Sequence, residues 1–579
     1  MADAPSEHKV SHLGILRRLG QLAKAFFITG NRRETRVLVG AMLGLCIAIG
    51  VVQVLVSFAA RNFITSLVQR DAAAFYRNLW FYLATFAIAI PIGVFYRYTG
   101  DRLSLLWREW MTRSLVKRYF FNRAYYRLGS SKTVDNPDQR ISEDVRSFTT
   151  GVLGYGLTLI NSMVTLFAFL GVLYTISWTL PVGLFFYATV GTALSILIGQ
   201  RLVGLHFQQY QKEADFRYAL VRVRDNAESI AFFRGEKREH RDLLSRFTEV
   251  VSNTMRIIGW NRTLGFFTNS YNYLALVIPT LIVAPLYMRG AVEYGVVTQA
   301  ESAFAQVLMA LSVIILQFDN LSAFAAGIKR LGDLWDELDD YDAEDALMEK
   351  EAPPPVEKEA LRLKLTDLTV QTPDAEKTMT RALNFTLPPG ESVLIMGASG
   401  TGKSSLLRTI AGLWQSGGGS IERPKLNSLI FLSQRPYMVQ GNLRSQLVYP
   451  QGQEGADDEE IKGALKKVNF TEVLDRVDGD FNRSVDWTNI LSLGEQQRVS
   501  FARIFLKKPT LAFLDEATSS LDEENERILY ESLRALGISY VSVGHRSTLK
   551  EFHDHLILLN EDGTVELSKI EHEKKIGAS

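Results

Sequence analysis

A single cysteine, Cys46, in 579 residues leaves no partner for an intrachain disulfide. That excludes a cross-linked secreted scaffold and suits a chain whose large domain faces a reducing cytosol. Cys46 itself lies in an apolar run, where a lone thiol reads as a small hydrophobe. Net charge is equally scarce: 64 basic against 63 acidic residues leave a formal +1. A bulk polyanion such as nucleic acid therefore has no support as a partner. No cleavable leader is expected either. The polar opening MADAPSEHKVSH precedes Arg36 without an apolar core, so segment 1–35 is expected to stay cytosolic. The composition is neither that of a soluble enzyme nor that of a pure membrane protein, at 47% hydrophobic and a mean hydropathy of +0.03. A chain this long needs at least two domains.

Charge is also absent locally, and these gaps are present at membrane length. A spanning helix needs about 20 mostly apolar residues. Val37–Ala60 and Asn78–Tyr96 carry no Asp, Glu, Lys or Arg. Ser147–Gln200 is likewise uncharged and, as one helix, would reach roughly 80 Å, so it must hold two spans. The hairpin between them is placed at Trp178-Thr179-Leu180-Pro181. Thr263–Met288 supplies a fifth span and Val296–Phe318, interrupted only by Glu301, a sixth. Segments 97–146 and 201–262 are rich in Arg and Lys, so they and both termini are expected in the cytoplasm. These long loops read as helical and must meet something in the cytosol.

Past Lys329 the sequence turns acidic and then reads Ala352-Pro353-Pro354-Pro355, a linker signature. From Leu361 short apolar runs alternate with helical stretches, as in a largely parallel α/β sheet. The run Ser392–Met396 leads straight into Gly397-Ala398-Ser399-Gly400-Thr401-Gly402-Lys403-Ser404 and then Ser405, a complete P-loop between strand and helix. Its backbone N–H groups can wrap a phosphate, with Lys403 neutralising β- and γ-phosphates and Ser404 holding Mg²⁺. Downstream, Thr510–Glu516 is an apolar strand ending in two carboxylates. Asp515 suits a metal-holding role and Glu516 the polarisation of an attacking water.

Leu491-Ser492-Leu493-Gly494-Glu495, followed by QQR, closely resembles the signature sequence of the ABC transporters. Other motifs of that family follow the resemblance: Gln434 as the Q-loop glutamine (a metal and water contact), Ser520-Leu521-Asp522 as the D-loop, and His545 as the switch histidine. In the first half, Asp135-Asn136-Pro137-Asp138-Gln139-Arg140, Glu213–Arg217 and Asn226–Ile230 resemble the peroxisomal acyl-CoA half-transporters of subfamily D and their bacterial relatives. Trp107-Arg108-Glu109-Trp110 is also similar to bacterial peptide importers that lack an ATPase domain. One departure stands out: the family's adenine-stacking aromatic is missing, with Gln371 and Thr372 near its place.

The expected architecture is a polytopic α-helical membrane domain of six spans, exporter-type with long cytoplasmic helices, plus an α/β P-loop ATP-binding cassette. Its boundaries are 1–35, 36–330, a linker at 331–360, and 361–579. The resemblance implies Mg²⁺ and ATP clamped between the P-loop of one chain and Ser492, Gly494, Glu495 and Asp522 of a second copy, hence a homodimer in the lipid bilayer. It further implies ATP-driven alternating access for a fatty acid or acyl-CoA-like solute, in a bacterial inner membrane with the cassette cytoplasmic. Peptide or cobalamin import, a regulatory ATPase that moves nothing, and a heterodimer remain alternatives. The NPDQR stretch is expected to dock on the cassette and couple it to the membrane half.

Overall fold

The computed structural model describes residues 12–571 apart from 30, 31, 131, 132, 317, 349–355, 361, 373–376, 415 and 452–455. The extreme N-terminus and the Ala352–Pro355 run lie outside the described residues. The chain divides into two compact units, Met1–Ala343 and Glu344–Ser579.

The first unit holds helices and short turns, with no strand among its described residues. After α1 (His12–Thr29) come α2 (Arg32–Val68), α3 (Ala72–Phe120), α4 (Val145–Ile176), α5 (Thr179–Asp225), α6 (Glu236–Met288), α7 (Tyr294–Leu316) and α8 (Phe318–Met348). The helices α2 to α6 contain five segments long and apolar enough to cross a membrane. The sixth expected span falls in α7. The hairpin within the uncharged run is where an interfacial Trp and a Pro predict it: α4 stops at Ile176, Ser177 is extended, and α5 starts at Thr179. Pro91 sits inside α3 and Pro279 and Pro285 inside α6, as membrane helices tolerate. At 49 and 53 residues, α3 and α6 are roughly 70–80 Å long, more than twice a hydrocarbon core. The charged loops are thus continuations of spanning helices.

Two apolar cores hold these helices together. Leu103, Trp107, Met111 and Leu115 form a four-residue stripe on α3 that is buried against Leu22 and Phe26 of α1, Phe148 of α4 and Leu331, Leu334 and Leu338 of α8. Phe26 and Trp107 stack with centroids 5.2 Å apart. The other core joins Phe169 and Leu173 of α4, Leu184 of α5, Val283 of α6 and Phe304 of α7.

The acidic stretch expected to begin the linker is helix as far as Met348. Leu331, Leu334 and Leu338 face the core, and four aspartates meet distant arginines. Asp333 lies 2.6 Å from Arg18, and Asp342 lies 2.9 Å from Arg118. Alternating charge and Leu at helical spacing marks an amphipathic helix, which composition alone does not distinguish from a solvated linker.

Arg140, in the stretch expected to dock on the cassette, is engaged within the helical unit. It begins a π-helical turn, Arg140–Asp144, ahead of α4. The side chain is buried, donating to the Arg330 carbonyl at 2.7 Å and the Asp135 carbonyl at 2.9 Å and pairing with the Asp135 carboxylate. Three of the five guanidinium N–H groups are thus used inside its own unit. Asp138 stays exposed.

The second unit holds two sheets. In the first, β1 (Val356–Glu359), β2 (Leu363–Gln371), β3 (Thr378–Leu387) and β5 (Gly417–Arg423) are ordered β1-β5-β2-β3, with β2 antiparallel to both neighbours. In the second, β4 (Ser392–Gly397), β6 (Leu429–Leu432), β7 (Leu511–Asp515), β8 (Ser539–Val543), β9 (His555–Leu559) and β10 (Val565–Lys569) are ordered β10-β9-β4-β8-β7-β6. All of its pairings are parallel except β10 with β9. The expectation of a largely parallel sheet holds for this layer; the mixed sheet, with β1 parallel to β5, is additional. Helices α9 (Lys403–Ile410), α10 (Leu493–Lys507) and α11 (Glu523–Ala535) complete the framework.

Candidate nucleotide site

The ends of β4 and β7 point to one edge of the parallel sheet, where ligands bind in open α/β folds. From β4 the chain enters the glycine-rich loop, and α9 begins at Lys403. Gly402 takes φ +97, and a Cβ there would stand 2.8 Å from the Met379 Cβ, so only glycine lets the loop pass β3. Lys403 directs its ammonium into the loop, donating to the carbonyls of Gly397 at 3.0 Å and Ala398 at 2.7 Å. Burial lowers its pKa, and the charges of Glu516 and Asp515 oppose that. Thr401 braces the loop by donating to the Ala398 carbonyl at 3.0 Å. Ser405 is buried at the base of α9, with Ser399 and Gly400 exposed at the rim.

Ser404 Oγ donates to Asp515 Oδ1 at 3.0 Å, across 111 residues of sequence. Burial pushes the Asp515 carboxyl up; the Ser404 bond offsets part of this and the neighbouring Glu516 charge adds to it. The adjoining Glu516 has a left-handed backbone, φ 49, held by its N–H on the Val543 carbonyl at 3.1 Å. A non-glycine residue costs roughly 1–2 kcal/mol in that region. The turn swings the carboxylate out of the strand direction. Gln434 Nε2 then donates to Glu516 Oε2 at 2.7 Å, and His545 Nε2 lies 3.1 Å from Oε1. Five residues from four separate segments, Ser404, Gln434, Asp515, Glu516 and His545, thus form one connected cluster beside the loop.

The signature residues are placed differently. Ser492 is the N-cap of α10, and Glu495 closes a capping box with it: Ser492 N–H and Oγ donate to Glu495 Oε2 at 2.8 and 2.9 Å. Arg476 pairs with the same carboxylate. Burial opposes ionisation of Glu495, but the Ser492 bonds and the Arg476 charge hold its pKa below the ordinary value. Glu495 therefore orients Ser492, with its carboxylate engaged by Ser492 and Arg476. Asp522 is the N-cap of α11, accepting from the Asn525 N–H at 2.7 Å. Among the described residues no hydrogen bond joins Ser492, Gly494, Glu495 or Asp522 to the P-loop, Asp515, Glu516 or His545. Gln371 ends β2, paired with Thr378 of β3, and Thr372 follows it, its N–H donating to the Lys377 carbonyl at 2.9 Å.

Sequence reading missed three supporting residues, Arg476, Gln497 and Arg546, because nothing in their spacing announces their partners. Arg546, next to His545, donates to the carbonyls of Leu521 at 3.0 Å and Ser519 at 3.1 Å.

Residues 22–288 match the family model for the ABC transporter transmembrane region 2, and 380–519 match the ABC transporter model. An uncharacterized ABC transporter ATP-binding protein of Synechocystis is 43% identical over 95% of this chain and 85% of its own length. ABC transporter D family member 2, chloroplastic, of Arabidopsis thaliana is 37% identical over 95% of this chain and 87% of its own. The human lysosomal cobalamin transporter ABCD4 is 32% identical over 83% and 84%. Because these similarities run through the helical unit and the cassette together, this chain belongs to the ABC transporters, as an integral membrane half-transporter of the subfamily D type whose ATP-binding domain is an ATPase coupled to transport.

Proposed function

We propose that two copies of this chain form an ATP-driven transporter that moves an amphipathic or hydrophobic solute, fatty acid or acyl-CoA-like, by alternating access. The observation that carries the homodimer is the division of the site. The phosphate-side cluster is complete within one chain, whereas Ser492 and Gly494 stand apart from it on α10. A second copy, turned about a two-fold axis, would supply them to the open side of the bound ATP.

Within each site, Lys403 and the loop N–H groups hold the β- and γ-phosphates, and Glu516 takes the proton of the attacking water while His545 and Gln434 hold its carboxylate in place. The oxygen set fits Mg²⁺: the Ser404 hydroxyl, the Asp515 carboxylate and the Gln434 carbonyl oxygen left over when Nε2 binds Glu516. Bound there, Mg²⁺ would neutralise charge on the phosphates. The basic loops support placing the N-terminus and cassette in the cytoplasm, and the Synechocystis relative supports a bacterial inner membrane.

The solute reading is supported by a cavity of about 450 Å³ within the helical unit. Apolar side chains share its lining with Gln53, Ser57, Tyr82, Ser302 and Gln306, and no charged residue lines it. Such a wall favours a neutral or amphipathic body with any charge held outside the spans. Glu301 faces away from a free role, bonded by the Thr280 hydroxyl. The name of the human relative makes a corrinoid the second candidate.

The test pairs Glu516→Gln with the parent chain in proteoliposomes. Hydrolysis should fall by roughly 10²-fold or more while ATP binding persists, as for loss of a general base. Acyl-CoA, free fatty acid, peptide and corrinoid are then compared for ATPase stimulation and uptake. Parent-like turnover in the variant would remove Glu516 from the chemistry, and stimulation by peptide or corrinoid alone would overturn the acyl reading.

A further inference from the structure

We infer that Gln497 is a positioning residue that ties Gln434 to the Ser519–Asp522 turn, so that the state of the phosphate site reaches the surface carrying the signature serine. The inference rests on the roles proposed above for Gln434 and Glu516.

Gln497 lies on α10 and is 1% exposed. Its carboxamide touches two other motifs. Nε2 donates to the Gln434 carbonyl at 3.2 Å and to Ser519 Oγ at 3.3 Å, and Oε1 accepts from the Ser520 N–H at 3.1 Å. Gln434 is therefore held at both ends, its side chain on Glu516 and its main chain on Gln497. One turn earlier on the same helix, a Cβ at Gly494 would lie 3.0 Å from the Ser520 carbonyl and 3.3 Å from Leu521 Cδ2. That approach lets α10 lie close against the 519–521 backbone, which is the distance Gln497 needs. From the other side, Arg546 grips the same backbone at Ser519 and Leu521. The turn is thus clamped between the signature helix and the segment after His545.

A buried glutamine could simply fill space. Two features argue for more. All three bonds go to loop atoms of other motifs and none to its own helix. The bond to the Gln434 carbonyl, at 3.2 Å, is at the long end of the N–H···O range, so a shift of Gln434 by a few tenths of an ångström would break or tighten it. When Gln434 moves to engage a metal or water at the γ-phosphate, its carbonyl carries Gln497 with it, and the turn and Ser492 follow. Hydrolysis at one shared site would then depend on the other.

The experiment uses the full-length protein in lipid with MgATP as the probe. Gln497→Met keeps the shape and removes all three bonds; Gln497→Glu keeps the acceptor for Ser520 and loses both donors. We expect kcat to fall about tenfold, in keeping with misplacement of reacting groups, with KM for ATP changed less than about twofold. The Hill coefficient for ATP should drop towards 1, the value for independent sites. Combining Gln497→Met with Gln434→Ala should cost less than the product of the single effects, because both act through one connection. Unchanged kcat and Hill coefficient, or fully multiplicative losses, would overturn the inference. So would a kcat loss accompanied by an equal loss of ATP binding and of thermal stability with cooperativity intact, which assigns Gln497 to packing. If Gln497→Met does not purify folded, Gln497→Glu carries the same decision. A null result here, with Glu516→Gln still inactive, removes this inference and leaves the site assignment standing.

Discussion

Burial and the Glu516 charge favour the proton on Asp515, and Ser404 works against them. A metal ligand must lose that proton, so Mg²⁺ and H⁺ compete at this carboxylate. The sign follows directly. Because the folded pKa lies above the ordinary 3.8, apparent Mg²⁺ affinity should weaken as pH falls towards it, starting at higher pH than an unperturbed Asp would allow. Below that pKa the slope approaches tenfold per pH unit for one proton. Asp515→Asn should abolish the slope that remains after the titration of ATP itself is subtracted. Ser404→Ala should move it to higher pH, since the bond favouring the ionised form is gone. Metal titrations of ATPase rate between pH 5 and 8 would decide, and an affinity that ignores pH in parent and Asp515→Asn alike removes Asp515 from the metal site. Glu516 shows a second residue-scale device. Its left-handed backbone is an unfavourable conformation kept by the Val543 bond, and the result is a carboxylate aimed at Gln434 and His545.

At the scale of elements, α8 invites the question of what anchors it. Its ion pairs are conspicuous, but the Arg18 and Asp333 side chains remain 28% and 34% exposed. Pairs like these contribute at most about 1 kcal/mol. Leu331 and Leu334 are fully buried against α3. Truncating such a leucine costs about 2–5 kcal/mol through lost transfer energy and the cavity left behind. Leu334→Ala should therefore lower the thermal midpoint of the purified protein by several degrees, whereas Arg18→Met should leave it nearly unchanged. A larger effect from Arg18→Met would mean that charge, and not the leucine stripe, holds α8. The apolar stripe could be read from its spacing once helix was assumed. The acidic residues around it masked that signal, and the pairing with Arg18 and Arg118 lies more than 200 positions away in the chain.

For the whole molecule, the proposal of shared sites makes a prediction that no single-chain measurement can. Mixed dimers carrying Lys403→Ala in one copy and Ser492→Arg in the other should concentrate both lesions in one site and leave the second whole. Nucleotide labelling should then become asymmetric, with about half the parent sites retained by the two-fold logic. Dimers as empty as Lys403→Ala in both copies, with no asymmetry, would argue that each chain binds ATP alone.

What the sequence determined by itself is everything whose physical cause is contiguous. Membrane insertion is a cost per residue along a run, so the charge-free segments from Val37 onward could be counted directly. A phosphate cradle needs glycines, a lysine and a hydroxyl within a few residues, so 397–405 announced itself, as did the two carboxylates ending β7. Tertiary structure alone decided which polar groups are already engaged. Glu495 turned out to cap α10, Arg140 to bind the Arg330 carbonyl 190 positions away, and Gln497 to hold the Gln434 carbonyl 63 positions away. A hydrogen bond is satisfied by whatever donor or acceptor packing brings within about 3 Å. Packing joins segments without regard to their separation, so no local pattern in the sequence records the partner.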